Sequence, residues 1–135
     1  MNLVIDSNIL FTFFWEKSTG REIIKSKIFN LISPEFALEE INRYKSDIIK
    51  RTKVSIVEFN KLREELTTIV EFIPLDEYDK YLHEAFDICP DKNDVDFFAL
   101  ALSKLCPIWS NDSDMKKQDE ISILNTLEII EFIDI

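Results

Sequence analysis

The sequence predicts an α/β domain with a mainly parallel central sheet covered on both faces by helices. Three observations carry that expectation. Short runs rich in Val, Ile and Leu alternate with segments whose apolar residues recur at helical spacing. Residues 94–105 include Val95, Phe97, Phe98, Ala99, Leu100, Ala101, Leu102 and Leu105, which leaves almost no polar face and marks a helix buried on most sides. Acidic residues stand where predicted strands stop, at Asp6 and Asp112, and where the buried helix starts, at Asp94.

Leu3, Val4 and Ile5 form the first β-type run, and Asp6, Ser7 and Asn8 end it in a position to cap a helix over 9–15. Ser18, Thr19 and Gly20 mark a turn before a helix over 22–28, and 29–32 reads as the second strand. Ser33 is the candidate cap of the next helix, with Pro34 at its first position. Phe36, Ala37, Ile41, Tyr44 and Ile48 then give one apolar stripe on a helix that also carries Glu39 and Glu40. From Ser55, the residues Phe59, Leu62, Leu66 and Ile69 mark a further helix, followed by a strand over 70–73. Asp76 opens a helix with Tyr78, Tyr81, Leu82, Ala85 and Phe86 on its inner face, which Cys89 and Pro90 end. Beyond the buried helix, 107–110 is extended chain that stops at Asn111, Asp112, Ser113 and Asp114; 121–124 is the last strand and 126–132 the closing helix.

A length of 135 residues suits one domain spanning 1–135, and 46% hydrophobic residues with a single glycine exclude a linker-rich or low-complexity chain. The formal charge of −10 works against nucleic acid as a partner, because phosphate binding draws on clustered Lys and Arg. Arg43, Lys45, Lys50, Arg51 and Lys53 nevertheless gather around one acid, Asp47, and offer either an RNA-contacting face or an ordinary solvated one. Cys89 and Cys106 form no CxxC pair and read as buried thiols in a reducing compartment. With no basic leader and an apolar run over 9–15 too short to span a bilayer, the expectation is a cytoplasmic protein without a membrane partner. Phe11, Phe13, Phe14 and Trp15 either form an apolar patch for a homodimer or fill the core; Trp15 and Trp109 are assigned to core or interface, and His83 to the surface.

Right-handed crossovers place the carboxyl ends of all parallel strands on one edge of a sheet, where ligands bind in open α/β folds. Asp6, Asp94 and Asp112 are therefore expected to converge. Carboxylates brought together raise one another's pKa and oppose folding unless a cation offsets them, and an all-oxygen set suits Mg²⁺ or Mn²⁺.

The pieces VIDSNIL, SPEFALEEI, DVDFFALAL and WSNDSDM, in that order along nearly the whole chain, resemble the spaced acidic motifs of the PIN-domain nucleases. The resemblance implies a three-layer α/β/α sandwich in which four acids bind one or two divalent ions and cleave RNA, leaving a 5′-phosphate and a 3′-hydroxyl. Motif by motif, it makes Asp6 the first acid with Asn8 as its polar companion, and Glu40 the helical glutamate with Glu39 as alternative. Asp94 becomes the third acid and Asp112 the fourth, with Asp96 and Asp114 as auxiliary metal ligands and Ser110 as a support. It also implies a role either as a toxin checked by a small inhibitor (antitoxin) protein or in RNA processing. The strongly negative charge departs from many family members.

Each acid has a plainer reading: Asp6 and Asp94 as helix caps, Asp112 and Asp114 as turn residues, Glu39 and Glu40 as helix surface. Two rival classes remain beside the nuclease, a non-catalytic PIN-like scaffold and a phosphoacceptor receiver domain. The receiver wants an acid pair after the first strand, which Asp6, Ser7 and Asn8 do not provide.

Overall fold

The computed structural model describes residues 1–134. Five strands, β1 (Asn2–Ile5), β2 (Asn30–Pro34), β3 (Glu71–Ile73), β4 (Ile108–Trp109) and β5 (Ile123–Leu124), form one sheet in the order β3-β2-β1-β4-β5, with every neighbouring pair parallel. Leu3, Val4 and Ile5 are each 0% exposed, as expected of a central parallel strand packed on both faces. Among the described residues eight α-helices flank the strands: α1 (Ser7–Phe11), α2 (Thr19–Ser26), α3 (Glu35–Arg43), α4 (Lys45–Thr52), α5 (Ile56–Ile69), α6 (Leu82–Ile88), α7 (Val95–Lys104) and α8 (Thr126–Ile133). The whole is the α/β/α sandwich anticipated from the sequence. Helix α7 lies against β1, β2 and β4, α3 and α5 against β3, and α8 against β5.

The strand order reverses between β1 and β4. Chain from β1 runs outward through β2 and β3, then crosses back to β4 and β5 on the opposite side. Such a switch point opens a crevice at the carboxyl ends of the two central strands. Asp6 follows β1 there, and Ser110 follows β4.

Several expectations need correction. Helix 9–15 is instead the short α1 and a 3₁₀ turn, Thr12–Phe14, with Trp15 beyond both. Phe13 and Phe14 are fully buried, Phe14 stacking on Phe59 at 4.8 Å between ring centroids, so these two belong to the core and not to a dimer patch. Trp15, 44% exposed, is outside that core, while Trp109 is wholly inside it. The single stripe through Tyr44 and Ile48 is two helices, with Tyr44 at φ −96°, ψ 14° between them. Ser33 caps nothing; it ends in β2 and donates its buried hydroxyl to the Ile5 carbonyl at 2.9 Å. Before α6 the chain makes two 3₁₀ turns, Leu75–Glu77 and Asp79–Tyr81, and Tyr81 and Phe86 face solvent.

One glycine in the chain shapes the helix ends. Left-handed caps, where glycine is favoured, are taken by Lys27 after α2, Lys53 after α4 and Leu105 after α7, at φ 59°, 62° and 52°. Leu105 is consequently turned outward, 93% exposed, and does not complete the buried face assigned to it. Gly20 itself sits where α2 crosses the Thr12 turn, and a Cβ there would collide with the threonine hydroxyl. Cys89 is buried and Cys106 half-buried, both as free thiols, and His83 is exposed beside Asp87. No helix among the described residues is long and apolar enough to cross a membrane.

Candidate active site

The parallel ladders that join β4 to β1 and to β5 continue past the strand ends and fix the site. The Asp6 amide donates to the Trp109 carbonyl, and the Ser110 amide to the Leu124 carbonyl, each at 3.0 Å. Asp6 and Ser110 are thereby held side by side, 5% and 1% exposed. The Ser110 hydroxyl donates to Asp6 Oδ2 at 2.8 Å, and Ser110 Oγ in turn accepts from the Asp112 amide at 3.1 Å. Asp6 stands at the cap position of α1, yet its side chain makes no capping hydrogen bond. The plain helix-cap reading fails for it, and equally for Asp94 at the start of α7.

A cleft of about 290 Å³ opens over Asp6 and Asp94 between α1, α3 and the start of α7, walled by Phe36 and Phe97 and edged by Ser7, Asn8, Glu40, Arg43 and Asn93. Glu40 enters it from α3, and the Ser7 hydroxyl donates to Glu40 Oε1 at 2.6 Å. Glu39, the alternative, looks elsewhere, into a separate depression with Glu35, Asp76, Tyr78 and Asp96. The structure therefore turns Glu40 and not Glu39 toward Asp6.

Burial, opposed by the Ser110 hydroxyl and the Ser7 amide and assisted by the charges of Asp112 and Glu40, pushes the Asp6 carboxyl up to about 6. Burial also leads for Asp94, and with the negative charges of Asp6, Asp91, Asp112 and Glu40 it raises that carboxyl to about 7. Asp6 and Asp94 thus each lie within electrostatic reach of both Glu40 and Asp112, and no lysine or arginine forms an ion pair with any of these four acids among the described residues. Arg43 edges the cleft without pairing to an acid.

Two auxiliary acids do not join the group. Asp96 accepts a 2.5 Å hydrogen bond from the Tyr78 hydroxyl in the depression that Glu35 and Glu39 line. Asp114 pairs with Lys117 at 2.9 Å, and its amide donates to Asp112 Oδ1. Both carboxylates have partners outside the group around Asp6 and Asp94, Tyr78 for Asp96 and Lys117 for Asp114. Asp112 is exposed and caps the 3₁₀ turn Ser113–Lys116, so it stands at the rim of the site. In the basic segment, Arg43 reaches the cleft and Arg51 a neighbouring depression, whereas Lys45 bonds Asn60 and lies over the Phe59 ring at 5.5 Å. Lys50 and Lys53 are exposed and edge neither depression.

The sequence reading missed Ser7, Asn93 and Asp91. Ser7 is the first residue of α1, where a hydroxyl carries no periodic signal; Asp91 accepts from the Asn93 amide at 2.9 Å and so shapes the turn into α7. In donor chemistry the cleft suits a hard divalent cation, offering carboxylate oxygens whose repulsion is otherwise uncompensated. Among the described residues no three His, Cys, Asp or Glu side chains stand close enough to hold a metal ion as they are placed.

Comparison with known proteins matches residues 4–128 to the family model described as PIN domain. No curated protein matches the chain by sequence. Among solved structures it is similar to a chain in the crystal structure of VapBC2 from Rickettsia felis bound to a DNA fragment from their promoter. That likeness has a TM-score of 0.70 at 13% identity and covers 93% of this chain and 98% of the other.

Proposed function

The chain belongs to the PIN-domain family, and from that premise we propose that it is a divalent-metal-dependent endoribonuclease that hydrolyses RNA phosphodiester bonds at the cleft over Asp6 and Asp94. The observation that carries this reading is the convergence of Asp6, Glu40, Asp94 and Asp112, from four separate parts of the chain, on one edge of the sheet with no cation paired to them. A structural role would not gather uncompensated acids, because their mutual repulsion opposes folding.

Asp6 and Asp94, joined by Asp112 at the rim, would hold Mg²⁺ or Mn²⁺. When bound, such an ion lowers the pKa of water and offsets charge on the scissile phosphate and leaving oxygen. Ser110 holds one Asp6 oxygen by its 2.8 Å hydrogen bond and so fixes the carboxylate that lines the cleft. Ser7 fixes Glu40 through the 2.6 Å contact, which orients the remaining Glu40 oxygen to accept a proton from attacking water. Arg43 supplies the one guanidinium at the cleft and is placed to hold a phosphate oxygen of the strand. Asn8 offers an amide at the same edge. The products are a 5′-phosphate and a 3′-hydroxyl.

For biological role we favour a toxin of a toxin–antitoxin pair, held in check by a small antitoxin; the likeness to VapBC2, a complex seen on promoter DNA, supports it. The reading includes residence in the cytoplasm and treats residues 1–135 as a single domain.

The test is cleavage of an end-labelled mixed RNA pool in EDTA, Mg²⁺ or Mn²⁺, with Asp94→Asn, Glu40→Gln and Glu39→Gln purified identically. Metal-dependent cutting is expected from wild type and Glu39→Gln, with Asp94→Asn inactive and Glu40→Gln reduced by roughly a hundredfold or more. Absence of both cutting and calorimetric Mn²⁺ binding would replace this reading with the non-catalytic scaffold.

A further inference from the structure

Beside the acidic cleft lies a second depression, of about 370 Å³, within the size range of roughly 300–1,000 Å³ in which small-molecule sites fall. Three of its lining residues, Asn8, Glu40 and Tyr44, also line the cleft, so the two are parts of one continuous groove. Its other walls are Phe11, Trp15 and Arg51, with Asp47 beside them. Trp15 and Tyr44 are 44% and 41% exposed, and the edge of one of the Tyr44 and Phe11 rings meets the other at 6.1 Å and 70°. Arg51 forms no ion pair among the described residues.

We infer that this depression is a base-binding subsite, which takes a nucleobase of single-stranded RNA next to the scissile phosphate by stacking against Trp15 and Tyr44. The inference rests on the ribonuclease reading and assigns the substrate a conformation, an unpaired strand with one base turned aside. Large aromatic faces left in water at the end of a charged groove suit a nucleobase, which offers two π faces and polar edges. Arg51 brings a positive charge with planar donors to a chain whose formal charge is −10, and Asp47 brings acceptors; together they can meet the edge of a stacked base and the phosphate behind it. The break between α3 and α4 serves this geometry, because it turns Tyr44 outward to Phe11 while Ile48, one helical turn on, stays buried. A duplex would not place a base there, since its bases remain stacked on one another.

Tryptophan fluorescence reports on the site through Trp15, the exposed one of the chain's two indoles, the other, Trp109, being fully buried and out of contact with solvent quenchers. A mixed-sequence single-stranded hexaribonucleotide, titrated in EDTA, should quench wild-type emission, and the same strand annealed to its complement should not. Trp15→Ala should weaken binding of the labelled single strand, read by anisotropy, about tenfold. Phe86→Ala, which removes an equally exposed ring outside the groove, should leave it unchanged. RNA binding without quenching, undiminished affinity in Trp15→Ala, or a Trp15 response to a protein partner in place of RNA would each overturn the subsite. Cutting without quenching by the wild type would do so and spare the nuclease reading; quenching without metal-dependent cutting would keep the subsite and remove the nuclease.

Discussion

The hydroxyl of Ser110 donates to Oδ2 of Asp6 across 2.8 Å, joining residues 104 positions apart at the point where the strand order reverses. Ser110 is 1% and Asp6 5% exposed, so water competes little for the bond between them. Ser110→Ala should therefore destabilise the protein by about 1–3 kcal/mol in urea unfolding, as expected for a buried acceptor that loses its donor. It should also lower the rate of metal-dependent cleavage, because the Asp6 carboxylate is then free to rotate. A variant as stable and active as wild type would show that the backbone ladder alone positions Asp6.

The raised carboxyls give the metal-free protein a pH dependence of definite sign. With a folded pKa of about 6 for Asp6 and about 7 for Asp94, against 3.8 unfolded, the native state holds more protons than the unfolded chain between these values. Stability from this source is complete below the unfolded pKa and lost as pH rises through the folded values. In EDTA, acidification from about pH 7.5 to about 5.5 should consequently raise the unfolding free energy, with Asp6 accounting for about 1 kcal/mol across that range. Asp94→Asn should flatten the profile and melt higher than wild type near neutrality. The comparison is best made in a His83→Gln background, which removes the one imidazole. A profile that climbs toward pH 7.5 would contradict a close group of acids.

Asp96 looks like a site residue in sequence, two positions after Asp94, but the helix turns it toward Tyr78. Tyr78 is 2% exposed, and its hydroxyl, held at 2.5 Å by a carboxylate, is pushed far above its usual pKa by burial and by that negative charge. Tyr78→Phe and Asp96→Asn should each cost about 1–3 kcal/mol of stability. Both should cut RNA at the wild-type rate once assayed well below their melting temperatures. Loss of cleavage in Asp96→Asn with the fold intact would restore Asp96 as a ligand.

The contrast between Asp94 and Asp96 shows where sequence reading stops. Strands such as 3–5, buried on both faces, are legible because a parallel sheet demands unbroken apolar runs, and acids at their ends stand out against them. The direction of a carboxylate on a helix depends on a rotation of about 100° per residue, so a boundary shift of one position exchanges Glu39 for Glu40. The break at Tyr44 has no proline or glycine to announce it, and the apolar stripe passes through it undisturbed. Nor do the helix ends at Lys27, Lys53 and Leu105 carry the glycine that normally marks them. Ser7 went unread because its contact with Glu40 spans 33 residues and follows no local pattern.

The basic segment can be divided residue by residue through its salt dependence. Counterion release makes the logarithm of the RNA affinity fall linearly with that of salt, by about 0.7 for each phosphate neutralised on a single strand. Arg43 edges the acidic cleft and Arg51 the aromatic depression next to it, both without an ion-pair partner among the described residues. Lys45 is engaged with Asn60 and Phe59, and Lys53 forms the left-handed cap of α4. If the strand follows the groove, Arg43→Ala and Arg51→Ala should each weaken binding and reduce the slope by about 0.7, whereas Lys45→Ala should leave it within error. Anisotropy titrations of a labelled single strand at several salt concentrations in EDTA make the comparison without interference from cleavage. The reverse result, with Lys45 and not Arg43 setting the slope, would move the RNA path from the cleft to the outer face of α4 and α5 and sever it from the acids.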